Sequence, residues 1–104
     1  MSAANRGEVW LADLGMAAKV RPVLVFNVPF SDLERAIFAV IPHTTALRGG
    51  RFEIKVGVHW LKEGAFDAQG LRPVPGTVLI RKLGTLTPAQ LEQVASAARI
   101  WLGL

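Results

Sequence analysis

The sequence predicts an α+β fold: a small, curved antiparallel sheet rolled toward a partly open barrel, followed by one C-terminal helix. Two observations lead there. Five short apolar or alternating segments are separated by breaks rich in glycine and proline. Clear helical spacing appears only at the end of the chain, so nothing suggests the strand–helix alternation of a parallel sheet.

The first strand is expected at Glu8 to Ala12, with Val9 and Leu11 on one face and Trp10 and Ala12 on the other. A turn through Gly15 leads to a second strand, Pro22 to Val28, which Pro29-Phe30-Ser31-Asp32 breaks. Ala36 to Ile41 is the third strand, and Gly49-Gly50 turns the chain into a fourth, Phe52 to Val56. A mixed segment around Trp60 and Gly64 precedes a fifth strand, Ala65 to Leu71. After Pro73 and Pro75, Thr77 to Lys82 reads as a short helix. The last helix carries the stronger signal. Thr87-Pro88-Ala89-Gln90 is a capping box with proline at the first helical position. Leu91, Val94, Ala95, Ala98, Trp101 and Leu102 then form one stripe, and Gly103 supplies the stop.

A chain of 104 residues fits one domain, residues 1–104. Apolar residues make up 51% of it and the mean hydropathy is +0.34, so surplus apolar surface points to a partner interface, most simply a homodimer. No apolar stretch approaches the roughly 18 residues that cross a bilayer, and the N-terminus lacks the apolar core of a signal peptide. The absence of cysteine excludes disulfides, thiolate catalysis and zinc–thiolate sites, and fits a cytoplasmic protein. A net charge of +4, with eight of twelve basic residues arginine, favours a nucleic acid or an acidic protein segment as partner.

The chemistry gathers at two strand ends. Arg21-Pro22 stands before the run Val23 to Phe26, and the third strand runs into Pro42-His43-Thr44-Thr45. A guanidinium and two hydroxyls at the ends of neighbouring strands would suit a phosphodiester: the first offsets charge, the others fix orientation. Each group also has a plain structural reading. Arg21 would pair with Asp13 or Glu8, and Thr44 and Thr45 would satisfy turn backbone. His43 and His59 form no metal-ligand pattern, but they leave open a ribonuclease scheme with two histidines as acid and base. In extended chain, however, His43 points opposite to Thr44. Lys19, Arg48, Arg51 and Arg72 are dispersed solvated charges unless the fold sets them along one groove. Trp10, Trp60 and Trp101 read as core or interface residues.

Taken in order, these pieces resemble the MazF/PemK family of toxin endoribonucleases, the mRNA interferases. The matching stretches are Arg6-Gly7-Glu8-Val9-Trp10 with Asp13-Leu14, Arg21 to Val25, Val40 to Thr45, Phe66 to Arg72, and Leu83-Gly84-Thr85-Leu86. The resemblance implies a homodimeric, SH3-like or CcdB-like fold and a cofactor-free, metal-independent enzyme. Its substrate would be single-stranded RNA rather than DNA, cut to 2′,3′-cyclic phosphate and 5′-hydroxyl ends. It carries catalysis onto Arg21 and Thr44, and RNA binding onto Lys19, His43, Thr45, Arg48 and Gln69, with Gln69 reading a base. It also implies an antitoxin with an acidic or flexible tail lying in the same groove.

Three departures stand out. Only Gly15 to Val20 separates Leu14 from Arg21, where the family often has a longer loop with an acidic residue. His43 replaces a common aliphatic residue, and Thr45 a frequent serine. Two other functions remain open on the same fold: a toxin resembling CcdB that poisons gyrase without cutting, and a passive SH3-like nucleic-acid binder.

Overall fold

In the computed structural model, which describes residues 4–16 and 19–104, seven strands form one antiparallel sheet that is not closed into a barrel. The strands are β1 (Glu8–Asp13), β2 (Val20–Val25), β3 (Ile37–Thr44), β4 (Glu53–Ile54), β5 (Ala65–Asp67), β6 (Arg72–Pro75) and β7 (Leu79–Thr85). Their order is β4-β5-β3-β2-β1-β7, with β6 also on β3. Helix α1 (Pro88–Leu102) follows. Among the described residues no helix is long and apolar enough to cross a membrane.

Alternation along the strands builds two apolar clusters. Val9, Leu24 and Ile41 lie opposite one another and share one cluster with Phe66 and with Val94, Ala97 and Ala98 of α1. Ala12, Val23, Val25, Phe38 and Val40 form the other, where the Phe30 ring meets Phe38 edge-on at 5.3 Å. The α1 start is the one expected: Thr87 accepts from the Gln90 amide, Gln90 returns a bond to the Thr87 amide, and Gly103 stops the helix at φ 75°. The far end of its stripe is less covered than expected. Trp101 meets Phe52 edge-on at 5.4 Å yet stays 46% exposed, and Leu102 is similarly open.

Four strand expectations shift. The second strand starts earlier, at Val20, because β1 pairs with it as far as Asp13, and it stops at Val25, because the Asn27 carboxamide, beyond the strand, receives the Ala39 N–H. The third runs on to Thr44, since its end gains β5 as a partner. The fourth shrinks to Glu53–Ile54. The fifth is cut in two: Asp67 accepts from the Gln69 amide and starts a 3₁₀ turn over Ala68–Gly70, after which β6 resumes. Pro73 and Pro75 are tolerated in β6 because it is an edge strand, paired only with β3. The expected helix at Thr77–Lys82 is instead a 3₁₀ turn over Gly76–Val78 and then β7. Long-range pairing with β1, from Ala12–Leu79 to Glu8–Thr85, overrides local helical preference there.

The feature that shapes the cleft is the end of the β2–β3 ladder. Pairing runs from Val25–Val40 to Val23–Pro42 and stops. Pro22, the next residue on β2 and one that faces β3, has no N–H to give, so the ladder loses a donor where it ends. On its other edge β3 pairs first with β6 and then, through His43–Phe66 and Thr44–Ala65, with β5. Two glycines permit close packing along that edge. A β-carbon at Gly64 would lie 2.3 Å from the Thr44 carbonyl oxygen, and one at Gly70 would lie 2.7 Å from Pro42 Cγ.

His43 is carried inward by this arrangement. It is 4% exposed, sets its ring edge-on to Phe66 at 5.1 Å, and leaves Nε2 buried without a partner among the described residues. Burial pushes its pKa below the ordinary histidine value of 6.5. An unfolded chain therefore takes the proton first as the pH falls. The contribution of neutral His43 is complete above pH 6.5 and is lost as the pH drops toward the lower folded value.

Three outcomes are expected in urea denaturation. Thr87→Ala should cost about 1 kcal/mol through the lost cap. Gly64→Ala should cost roughly 1–3 kcal/mol, since the overpacked neighbour is backbone; no loss would contradict the close approach. His43→Leu should flatten the fall in stability below pH 6.5, and an unchanged pH profile would contradict the buried neutral ring.

Candidate functional site

Where β2 and β3 part, a cleft of about 460 Å³ opens, and Arg21 and Thr44 both line it. Continuing the β2–β3 register two residues past Val23–Pro42 sets Arg21 directly opposite Thr44. The floor follows from the same ladders. Pro22 pairs with Leu11 on β1, and Leu11 pairs with Arg81 on β7, so the three share one face and all line the cleft. Lys19 stands at the β1–β2 hairpin and Lys62 on the segment before β5. The lining thus holds four cations, Lys19, Arg21, Lys62 and Arg81, and no carboxylate. Such a cleft suits a polyanion.

Thr44 is set up as a donor. Its Oγ1 accepts the Ala46 N–H at 3.0 Å, so the turn it stabilises occupies an acceptor site and leaves the hydroxyl proton to give. The plain structural reading of Thr44 and the functional one therefore hold together. Lys19 is held at φ 56°, in the left-handed region, by its amide bond to the Gly15 carbonyl and by accepting from the Leu14 amide. That closes the short hairpin and keeps the lysine at the rim. Glu8, one expected partner of Arg21, accepts from Trp10 Nε1 and pairs with Lys82 at 3.2 Å. Burial alone would raise the Glu8 carboxyl, but the Trp10 and Asn5 hydrogen bonds and Lys82 together bring it below the usual carboxylate value.

Of the residues singled out in the sequence, the cleft gathers Arg21, Thr44, Lys19, His43 and Thr45. It does not gather Arg48 or Gln69. The Glu53 carboxylate accepts the Arg48 and Gly49 amides and pins that loop elsewhere; the same bonds hold Glu53 below the usual carboxylate value. Gln69 sits exposed on the 3₁₀ turn behind Pro42. Arg51 lies over the Phe52 ring at 4.6 Å, and Arg72 Nε donates to the Gly70 carbonyl. Neither is a groove cation. Lys62, Arg81 and Trp60 are the cleft residues that sequence reasoning passed over. Arg81 was legible in principle: read as a strand, Arg81 and Leu83 alternate with Lys82, which pairs with Glu8 instead.

Two neighbouring clefts differ in character. One of about 700 Å³ adjoins the first through Thr45, Leu61 and Lys62, and it is this one that His59 lines. His43 and His59 thus do not meet in one cleft, which removes the geometry a two-histidine scheme needs. A wider one of about 1100 Å³, between the Leu47–Lys55 segment and α1, carries the carboxylates of Glu53 and Glu92 and suits an anion poorly. Among the described residues, no three His, Asp or Glu side chains are grouped to hold a metal ion.

Known proteins share this architecture. The chain is 25% identical to an endoribonuclease solved in complex with its cognate antitoxin from a mycobacterial species, with a TM-score of 0.84 over 98% of this chain and 97% of that one. The Mycobacterium tuberculosis toxin MazF-mt6 is 26% identical, with a TM-score of 0.78 over 93% and 97%. A MazE–MazF structure from Deinococcus radiodurans, 21% identical, shares the fold at a TM-score of 0.79 over 100% and 99%. Residues 5–102 match the family of PemK-like, MazF-like toxins of type II toxin–antitoxin systems. With that match spanning almost the whole chain, the protein belongs to the PemK/MazF toxin family.

Proposed function

We propose that this toxin is an endoribonuclease that cuts single-stranded RNA without a metal ion, by attack of a ribose 2′-hydroxyl on its own phosphate. The observation that carries the reading is the shared cleft of Arg21 and Thr44, ringed by cations and free of carboxylates. The 2′-oxygen gives up its proton to water as it bonds to phosphorus, the bond to the 5′-oxygen breaks, and that oxygen takes a proton from water; on the way negative charge grows on the non-bridging oxygens. The Arg21 guanidinium offsets that charge, and the Thr44 hydroxyl donates to the same phosphate and holds it in line. The products are a 2′,3′-cyclic phosphate and a 5′-hydroxyl. Because the nucleophile belongs to the ribose, DNA is not cut. His43, turned into the core with Nε2 shielded, takes no part in proton transfer.

Lys19 and Thr45 bind the strand beside the scissile phosphate, while Arg48 and Gln69 contribute no contact within the cleft. The regulating partner is an antitoxin whose acidic segment fills the cleft; a similar mycobacterial protein was solved with its cognate antitoxin. We further infer a homodimer, for which exposed Ile37 and Ile80 on β3 and β7 supply apolar surface.

Incubation of the purified protein with single-stranded RNA in excess chelator should yield discrete fragments with cyclic-phosphate ends. Arg21→Ala and Thr44→Ala should each lower the cleavage rate by about a hundredfold or more, while His43→Leu stays within about tenfold of the parent, as expected of a residue outside the reaction. Intact RNA with the parent protein, or near-normal cleavage by Arg21→Ala, would contradict the proposal.

A further inference from the structure

We propose that Trp60 is a stacking platform for one nucleobase of the bound RNA, with Lys62 and Arg81 holding the phosphates beside it. The inference deepens the endoribonuclease reading of the same cleft and rests on it.

The three tryptophans are not equivalent. Trp10 gives its indole N–H to Glu8, and Trp101 sets its ring against Phe52. Trp60 makes neither kind of contact among the described residues, yet it is half-buried and lines the cleft with Arg21 and Thr44. It packs against the buried cluster that includes Val9 and Leu24, and it lies over Gly84 of β7. A β-carbon there would fall 2.4, 2.6 and 2.7 Å from Cε2, Cζ2 and Cδ2 of the indole. Only glycine lets the ring settle this close to the strand. The indole is therefore fixed before any ligand arrives, and stacking on it costs little ordering.

Its surroundings are those of an unstacked base joined to phosphates. Leu61 and Leu83 continue the apolar surface, and Lys62 and Arg81 supply positive charge on either strand flank. Single-stranded nucleic acid is held by this pairing of aromatic surface with backbone-tracking cations. An acidic peptide would use the cations but would not need the ring.

The test uses a mixed-sequence 2′-O-methyl oligoribonucleotide, which offers bases but no nucleophile, and inorganic polyphosphate, which offers charge but no bases. In a Trp10→Phe/Trp101→Phe background, Trp60 fluorescence should be quenched saturably by the oligonucleotide and not by polyphosphate. By anisotropy, Trp60→Leu should bind the labelled oligonucleotide roughly 5- to 150-fold more weakly. Trp60→Phe should recover most of that loss, and polyphosphate affinity should be unchanged in both variants. Equal quenching by polyphosphate, or parental oligonucleotide affinity in Trp60→Leu, would overturn the platform. Cleavage of unmodified RNA by the parent protein separates the two claims. RNA cut with Trp60 silent removes the platform and keeps the nuclease; Trp60 quenched with RNA uncut does the reverse.

Discussion

The cleft exists because the β2–β3 hydrogen-bonded ladder stops at a proline. Pro42 sits in the last β2–β3 pair, and Pro22, next on β2 and facing β3, has no N–H to extend the pairing. Past that pair β2 stays with β1, as far as Asp13–Val20, while β3 is held on its opposite edge by β5. The strand ends part, and the two residues next along, Arg21 and Thr44, come to border one opening. Pro42 is itself seated against Gly70, and the Thr44 backbone against Gly64, so the parting is fixed by close packing. A sheet that closed fully here would have no cleft.

Charge is distributed to match. Three acidic side chains near the sheet are engaged elsewhere: Glu8 by Trp10 and Lys82, Asp13 by the Gly15 amide, Glu53 by the Arg48 and Gly49 amides. Two arginines outside the cleft are likewise occupied, Arg51 over Phe52 and Arg72 at the Gly70 carbonyl. The opening itself is lined by four cations, two threonine hydroxyls and an apolar floor. The same set that would bind an RNA backbone would bind an acidic segment of an inhibitor, so inhibition by occupation needs no second site.

The sequence made much of this legible, unevenly. Local signals are the legible ones: the capping box at Thr87, the glycine stop at Gly103 and the alternation of Val9 with Trp10 all stand in the structure. Arg21 and Thr44 stand out in the sequence because Arg21 precedes Pro22 and an apolar run, and Thr44 follows a second apolar run through Pro42-His43. Long-range choices were not legible. Leu79 to Thr85 has no strong local preference, and only its pairing with β1 makes it a strand and brings Arg81 to the cleft. Trp60, expected in the core or an interface, does pack against the buried cluster, but its place at the cleft over Gly84, 24 residues later, leaves no local pattern. Arg48 would bind RNA only if the fold set it along the groove, and the Glu53 carboxylate holds its backbone elsewhere.

The central claim is that Arg21 and Thr44 act on one phosphate as a unit, and a double-mutant cycle on single-turnover RNA cleavage tests it most directly. Residues that work together are strongly non-additive. The account predicts that Arg21→Ala/Thr44→Ala cuts RNA about as slowly as the worse of the two single variants. If the two losses multiply in full, the groups act independently, and the shared-phosphate account is wrong.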